Sequence, residues 1–155
     1  MSGVCTELNE CKLTVQQIKD EPRVRPRRKT LTVRSDVSTV QSEQFENLDT
    51  KRVKFHSGVL KIADNAFSGW KYLKDIVFEG TKLQSIGLNA FRETGLKCFV
   101  APHTLQHIGM GAFYGCKSLK QVELNEGLTA IGLAGRDTAN YGTFEDSGLE
   151  LIKLP

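Results

Sequence analysis

Three histidines, four cysteines and a run of arginines are the residues of this 155-residue chain best suited to chemistry. His103 and His107 stand four apart, a spacing that pairs two imidazoles on a metal when it falls on a helix beside a glutamate. Here no Glu accompanies them and the stretch is turn-rich, so they read as exposed histidines. His56 stands alone. Cys5, Cys11, Cys98 and Cys116 form no C-x-x-C pair and no Cys/His zinc spacing, so they read as reduced thiols. The chain has no glycine-rich phosphate loop ahead of a helix, no G-x-S-x-G and no paired-carboxylate motif. The expectation is a non-catalytic protein with no cofactor and no metal.

Charge is concentrated at one end. Residues 1–36 hold eight basic and five acidic side chains, and residues 37–155 hold thirteen of each. The net charge of +3 therefore sits near Arg23, Arg25, Arg27, Arg28 and Lys29. The remainder has no overall field to attract nucleic acid. The basic run reads as a nuclear-import or anionic-surface patch, or as a solvated linker. Arg27-Arg-Lys-Thr30 also resembles a basophilic kinase site, and Ile18-Lys-Asp-Glu21 a SUMO-acceptor motif. Pro22 and Pro26 oppose a helix here, so residues 1–30 are expected to form a flexible basic arm. The N-terminus lacks an apolar signal core, no apolar run is long enough to span a bilayer, and no N-x-[ST] sequon occurs. An intracellular location is favoured on those grounds.

The elements that would position any site come from internal repetition. Leu83-Gln-Ser-Ile86-Gly-Leu-Asn-Ala90-Phe91 and Leu105-Gln-His-Ile108-Gly-Met-Gly-Ala112-Phe113 share the frame L-Q-x-I-G-x-x-A-F. Val59 to Phe67 follows it, and Leu128-Thr-Ala-Ile131-Gly132 begins it. Val37 to Phe45 keeps the apolar spacing without the alanine. After each Phe comes a block ending in an alternating apolar stretch, such as Leu73-Lys-Asp-Ile76-Val-Phe78 or Leu119-Lys-Gln-Val122-Glu-Leu124. Such alternation marks a short strand with one buried face. The blocks after Phe91 and Phe144 are one residue shorter. The Phe column reads 45, 67, 91, 113 and 144, in steps of 22, 24, 22 and 31. One such unit cannot bury its own apolar residues, whereas stacked units build a continuous core. The recurring glycines, thirteen of fourteen between 58 and 148, are expected where each coil bends sharply.

The pattern L-x-x-I-x-x-x-A-F-x-G-C-x-x-L-x-x-I-x-L resembles the BspA-like leucine-rich repeats of bacterial and protist proteins. Phe113-Tyr-Gly115-Cys116-Lys-Ser-Leu119-Lys-Gln-Val122-Glu-Leu124 matches it most closely. The resemblance covers 53–132 well, 143–155 acceptably and 31–52 weakly. It implies a right-handed solenoid with a parallel sheet along one face, and a binding or adhesion role. The expected fold is thus a leucine-rich-repeat solenoid over residues 31–155. It would carry one short parallel strand per 22–24-residue repeat, with turns and short helical segments on the other side. Residues 31–52 would be a degenerate first coil, and an insertion would lie at about 133–141.

Outward strand slots then stack into columns. One reads Lys54, Val77, Val100, Glu123, Lys153. A second reads Arg52, Asp75, Cys98, Gln121, Leu151. A third reads His56, Glu79, Pro102, Asn125. The candidate partner contacts are Arg52, Lys54, Asp75, Val77, Cys98, Val100, Gln121 and Glu123. The alternative for the valines is that they merely suit a strand. Eight residues are inserted between Ile131 and Phe144, and Arg136, Asp137 and Tyr141 are candidate contacts if that loop is more than a solvated excursion. The partner class expected is a protein. No nucleic acid is expected for the solenoid, and Leu154-Pro155 follows a strand with no cap, which invites self-association along that edge. The alternatives are an intracellular scaffold addressed through its basic arm, and a piece of a larger surface adhesin, for which the cell surface would be the location.

Overall fold

The computed structural model describes residues 10–13, 30–34, 36–41, 50–133 and 142–155. Within them the chain is a solenoid of parallel strands. The front carries β1 (Glu10–Leu13), β2 (Thr30–Val33), β4 (Arg52–Phe55) and β6 (Asp75–Phe78) in one ladder, and β8 (Cys98–Val100), β10 (Gln121–Glu123) and β12 (Leu151–Lys153) in another. The back carries a continuous five-stranded ladder of β3 (Thr39–Val40), β5 (Lys61–Ile62), β7 (Ser85–Ile86), β9 (His107–Gly109) and β11 (Ala130–Leu133). Among the described residues, the five coils from β2 to β11 thus hold two strands each, one more than the repeat pattern suggests.

The expected short helical segments are absent among the described residues; turns and the back ladder take their place. The reason lies in where the backbone N–H groups go. Those of Asn65, Phe67 and Gly69 donate to the carbonyls of Leu88, Ala90 and Arg92 on the next coil, each at 2.8 Å. Those of Asn89, Phe91 and Glu93 repeat the pattern onto Met110, Ala112 and Tyr114. Alternate groups that bond across coils cannot close helical turns within one. The same segments also hold left-handed residues four apart, with φ of 56° at Asn65 and 78° at Gly69, and 52° at Asn89 and 54° at Glu93. No α-helix accommodates such a pair.

The core follows the sequence columns. Phe67, Phe91 and Phe113 are fully buried and stack at 5.3 and 5.5 Å between centroids, and Phe144 continues the stack at 5.4 Å. Phe55 and Phe78 stack at 5.2 Å. Phe45 lies outside the described residues. The degenerate coil contributes β2 and β3, with Leu31 opposite Val53 and Val40 opposite Ile62. Within the expected arm, Glu10–Leu13 pair with Thr30–Val33 as β1. Arg23 to Lys29 lie outside the described residues.

The front ladder breaks between β6 and β8. The N–H of Glu79 bonds back to the Phe55 carbonyl at 2.8 Å. Its counterpart one coil later is Pro102, which has no N–H to give to Phe78. The Lys97 N–H still reaches the Lys74 carbonyl at 3.2 Å, and Phe78 meets Phe99 edge-on at 6.2 Å. Ile76 and Phe78 are half-buried at this seam, unlike Val53 and Phe55 before it.

Candidate functional site

The parallel register fixes which side chains share the front face. Arg52 lies opposite Asp75 and Lys54 opposite Val77 across β4 and β6. Cys98 lies opposite Gln121 and Val100 opposite Glu123 across β8 and β10. Gln121 lies opposite Leu151 and Glu123 opposite Lys153 across β10 and β12. The structure therefore places the eight sequence-derived candidates on the two front ladders, Arg52, Lys54, Asp75 and Val77 on one and Cys98, Val100, Gln121 and Glu123 on the other. Their inward neighbours Val53, Phe55, Phe99 and Val122 are buried, which holds each strand flat against the core. Val77 is half-buried and Val100 is 54% exposed, on successive coils.

Charges frame that apolar centre. The Arg52 guanidinium pairs with Asp75 at 3.3 Å, and Glu79 receives both Lys54 at 3.7 Å and His56 at 3.8 Å. On the other side Gln121 and Lys153 both donate to Glu123. These pairs are solvent-exposed, so each contributes little to stability; what they set is the pattern a partner would meet. The Lys153 ammonium, first by its hydrogen bond and then by its charge, holds the Glu123 carboxyl below the ordinary glutamate range. A depressed folded value means that the stabilisation is complete above the ordinary glutamate value and is lost as pH falls through the lowered one. A carbon-13 NMR titration should place the Glu123 midpoint below that of an unpaired glutamate, and Lys153→Gln should raise it.

Other candidates separate. His103 and His107 are exposed, and His107 lies in β9 beside Thr129, at 3.4 Å from its hydroxyl. Among the described residues no group of three His, Cys, Asp or Glu is placed to hold a metal ion. Cys98 is exposed on the front face. Cys116 is fully buried, its Sγ donating to the Phe91 carbonyl at 3.0 Å and lying 3.2 Å from the Thr94 hydroxyl. Burial pushes its thiol above the ordinary value, which makes it a packing group rather than a nucleophile. Arg136, Asp137 and Tyr141 lie outside the described residues. The insertion leaves β11 at a bulge after Ile131.

One column escaped the sequence reading. Lys51, Lys74, Lys97 and Lys120 recur every 23 residues, a signal visible in the chain but masked by the 22- and 24-residue steps of the Phe column. They stand immediately before the front strands. Among the described residues, no helix is long and apolar enough to cross a membrane.

Comparison with known proteins bears on the whole surface. A family model, the BspA type leucine rich repeat region, matches residues 38–155 in six copies. The solved structure of the pneumococcal vaccine antigen PcpA aligns over 82% of this chain and 40% of its own, with a TM-score of 0.58 and 19% identity. A leucine-rich repeat protein from Bacteroides ovatus ATCC 8483 aligns over 81% of this chain and 36% of its own, with a TM-score of 0.61 and 20% identity. The chain thus spans well under half the length of these two neighbours, which share its fold. It shows no significant match to a curated protein sequence.

Proposed function

Because the chain belongs to the BspA-type leucine-rich repeat family, we propose that it is a non-catalytic recognition module whose front sheet binds a protein partner. The observation that carries this reading is the apolar pair Val77 and Val100 on successive coils, at the facing edges of the two front ladders, with Arg52, Lys54 and Asp75 on one ladder and Glu123 on the other. An apolar centre with a charged rim is the usual anatomy of a protein interface. Strands present these side chains at fixed spacing, so little ordering entropy is lost on docking.

The test is a partner captured by the full chain and then measured against Val77→Asp/Val100→Asp. Two carboxylates in the desolvated centre of the contact should weaken binding by about a hundredfold or more. Val100 is exposed, so Val100→Asp alone should leave the melting temperature little changed and separates lost binding from any stability cost at the half-buried Val77. Undiminished affinity would remove the front face as the contact surface.

A further inference from the structure

We propose that the corner of the solenoid leading into the front sheet is a second binding surface, and that its ligand is a linear anionic polysaccharide. Lys51, Lys74, Lys97 and Lys120 occupy one rung each there. The Lys74 N–H donates to the Lys51 carbonyl at 2.8 Å, that of Lys97 to Lys74 at 3.2 Å, and that of Lys120 to Lys97 at 2.9 Å. The four side chains are therefore stacked by the backbone itself, one every ~4.8 Å over roughly 14 Å. All four are exposed. Lys120 pairs with Glu150, whereas among the described residues no ion pair engages the other three. Four stacked ammonium groups repel one another, and an anionic chain laid along them relieves that repulsion.

A groove of about 430 Å³ runs beside the ladder. Lys71 and Lys117 line it, each three residues before a ladder lysine, together with Arg92 and Tyr114; Glu93 and Asp146 line it too, pairing with Arg92 and Lys117, so Lys71 is the cation it adds to the ladder. The Arg92 guanidinium sits 5.0 Å from the Tyr114 ring centroid, which holds it extended over the groove. Tyr72, between Lys71 and Lys74, is 59% exposed and offers a ring to the apolar face of a sugar.

Spacing and chemistry select the ligand. Same-side residues of an extended acidic peptide recur at about 6.7 Å and fall out of step with the rungs. Single-stranded nucleic acid is held by bases stacked on rows of aromatic rings, and among the described residues one exposed aromatic ring, Tyr72, does not make a row. The rungs are ~4.8 Å apart, close to the advance of a glycan chain per pyranose ring, so a charge on every ring meets every lysine and a charge on every second ring meets alternate lysines, each as a point charge.

The experiment measures binding of the full chain to size-defined heparin and hyaluronan oligosaccharides, one sulfated and one carboxylated, at low salt. Lys74→Glu/Lys97→Glu should weaken binding about tenfold or more, and the affinity should fall as salt is raised. Lys61→Glu/Lys82→Glu carries the same net charge away from the ladder, and should change affinity less than about twofold. Because the basic residues 23–29 are present in every variant, their contribution cancels. Binding of either glycan with that contrast supports the proposal, and the preferred one identifies the anionic group. Equal losses in the two variants, no binding of either glycan, or displacement by polyglutamate or a single-stranded oligonucleotide at lower concentration would overturn it. If the glutamate pair melts early, Lys74→Gln/Lys97→Gln gives the same decision.

Discussion

Phe113→Ala should lower the unfolding free energy by about 4 kcal/mol, near the upper range for emptying a buried aromatic site. The ring touches three others: Phe91 at 5.5 Å, Phe99 at 4.7 Å and Phe144 at 5.4 Å. It is fully buried, and its neighbours are held by the inter-coil backbone bonds of Phe91 and Phe113 themselves, so the cavity cannot collapse. A solenoid is stable through nearest-neighbour contacts between coils. The loss should therefore uncouple β10 and β12 from the coils before them. Urea unfolding should show a lower midpoint and a split or broadened transition, with faster amide exchange in 121–133 and 142–153 than in 52–78. Phe144→Ala should cost clearly less, because Phe144 is only half-buried and a single ring, Phe113, stacks on it among the described residues. Equal costs at the two positions would contradict the stacked-column account.

Gly109→Ala should cost about 3 kcal/mol through overpacking, although the change is a single methyl group. A Cβ at Gly109 would lie 2.6 Å from the Gly87 carbonyl carbon, 2.7 Å from its oxygen and 2.7 Å from the Leu88 nitrogen. These are backbone atoms within or beside the five-stranded back ladder, so neither side can yield without breaking inter-coil bonds. Gly80→Ala is the control. Its φ is +59° but nothing lies within 4 Å of the added carbon, so the change should cost only the left-handed backbone, about 1 kcal/mol. Thermal unfolding of the two variants separates crowding from backbone conformation. Similar losses would mean that adjacent coils separate enough to admit a methyl group at Gly109, against the crowding account.

That contrast also revises the sequence reading of the glycines. They recur with the repeat, and were expected at sharp bends. Gly69, Gly115 and Gly132 do have positive φ. Gly87 and Gly109 do not; they mark where one coil passes too close to the last for any side chain. A one-dimensional pattern records that glycine recurs, not whether a dihedral or a distance requires it.

The contact columns were legible because a solenoid translates sequence period directly into spatial register. Arg52 and Asp75, or Val100 and Glu123, are neighbours because they hold equal positions in successive repeats, and parallel pairing preserves equality of position. The lysine column obeyed the same rule and was equally accessible to counting. Its importance was not, because the chain alone does not show that Lys120 has Glu150 beside it while Lys51, Lys74 and Lys97 have no such ion pair among the described residues.

The sequence by itself determined the repeat, the identity of the stacked core residues and the strand register, since each follows from the spacing of apolar side chains that must be buried together. The tertiary structure alone decided three other things. Turns and a second ladder replaced helices, because the N–H groups of Asn65, Phe67 and Gly69 found carbonyls on the next coil instead of on their own. The front sheet divided between β6 and β8, and the missing Pro102 donor accounts for one of the bonds lost there. And the exposure of Val100, the burial of Cys116 and the open row of lysines depend on how closely adjacent coils approach, a distance set by packing across the chain rather than by spacing along it.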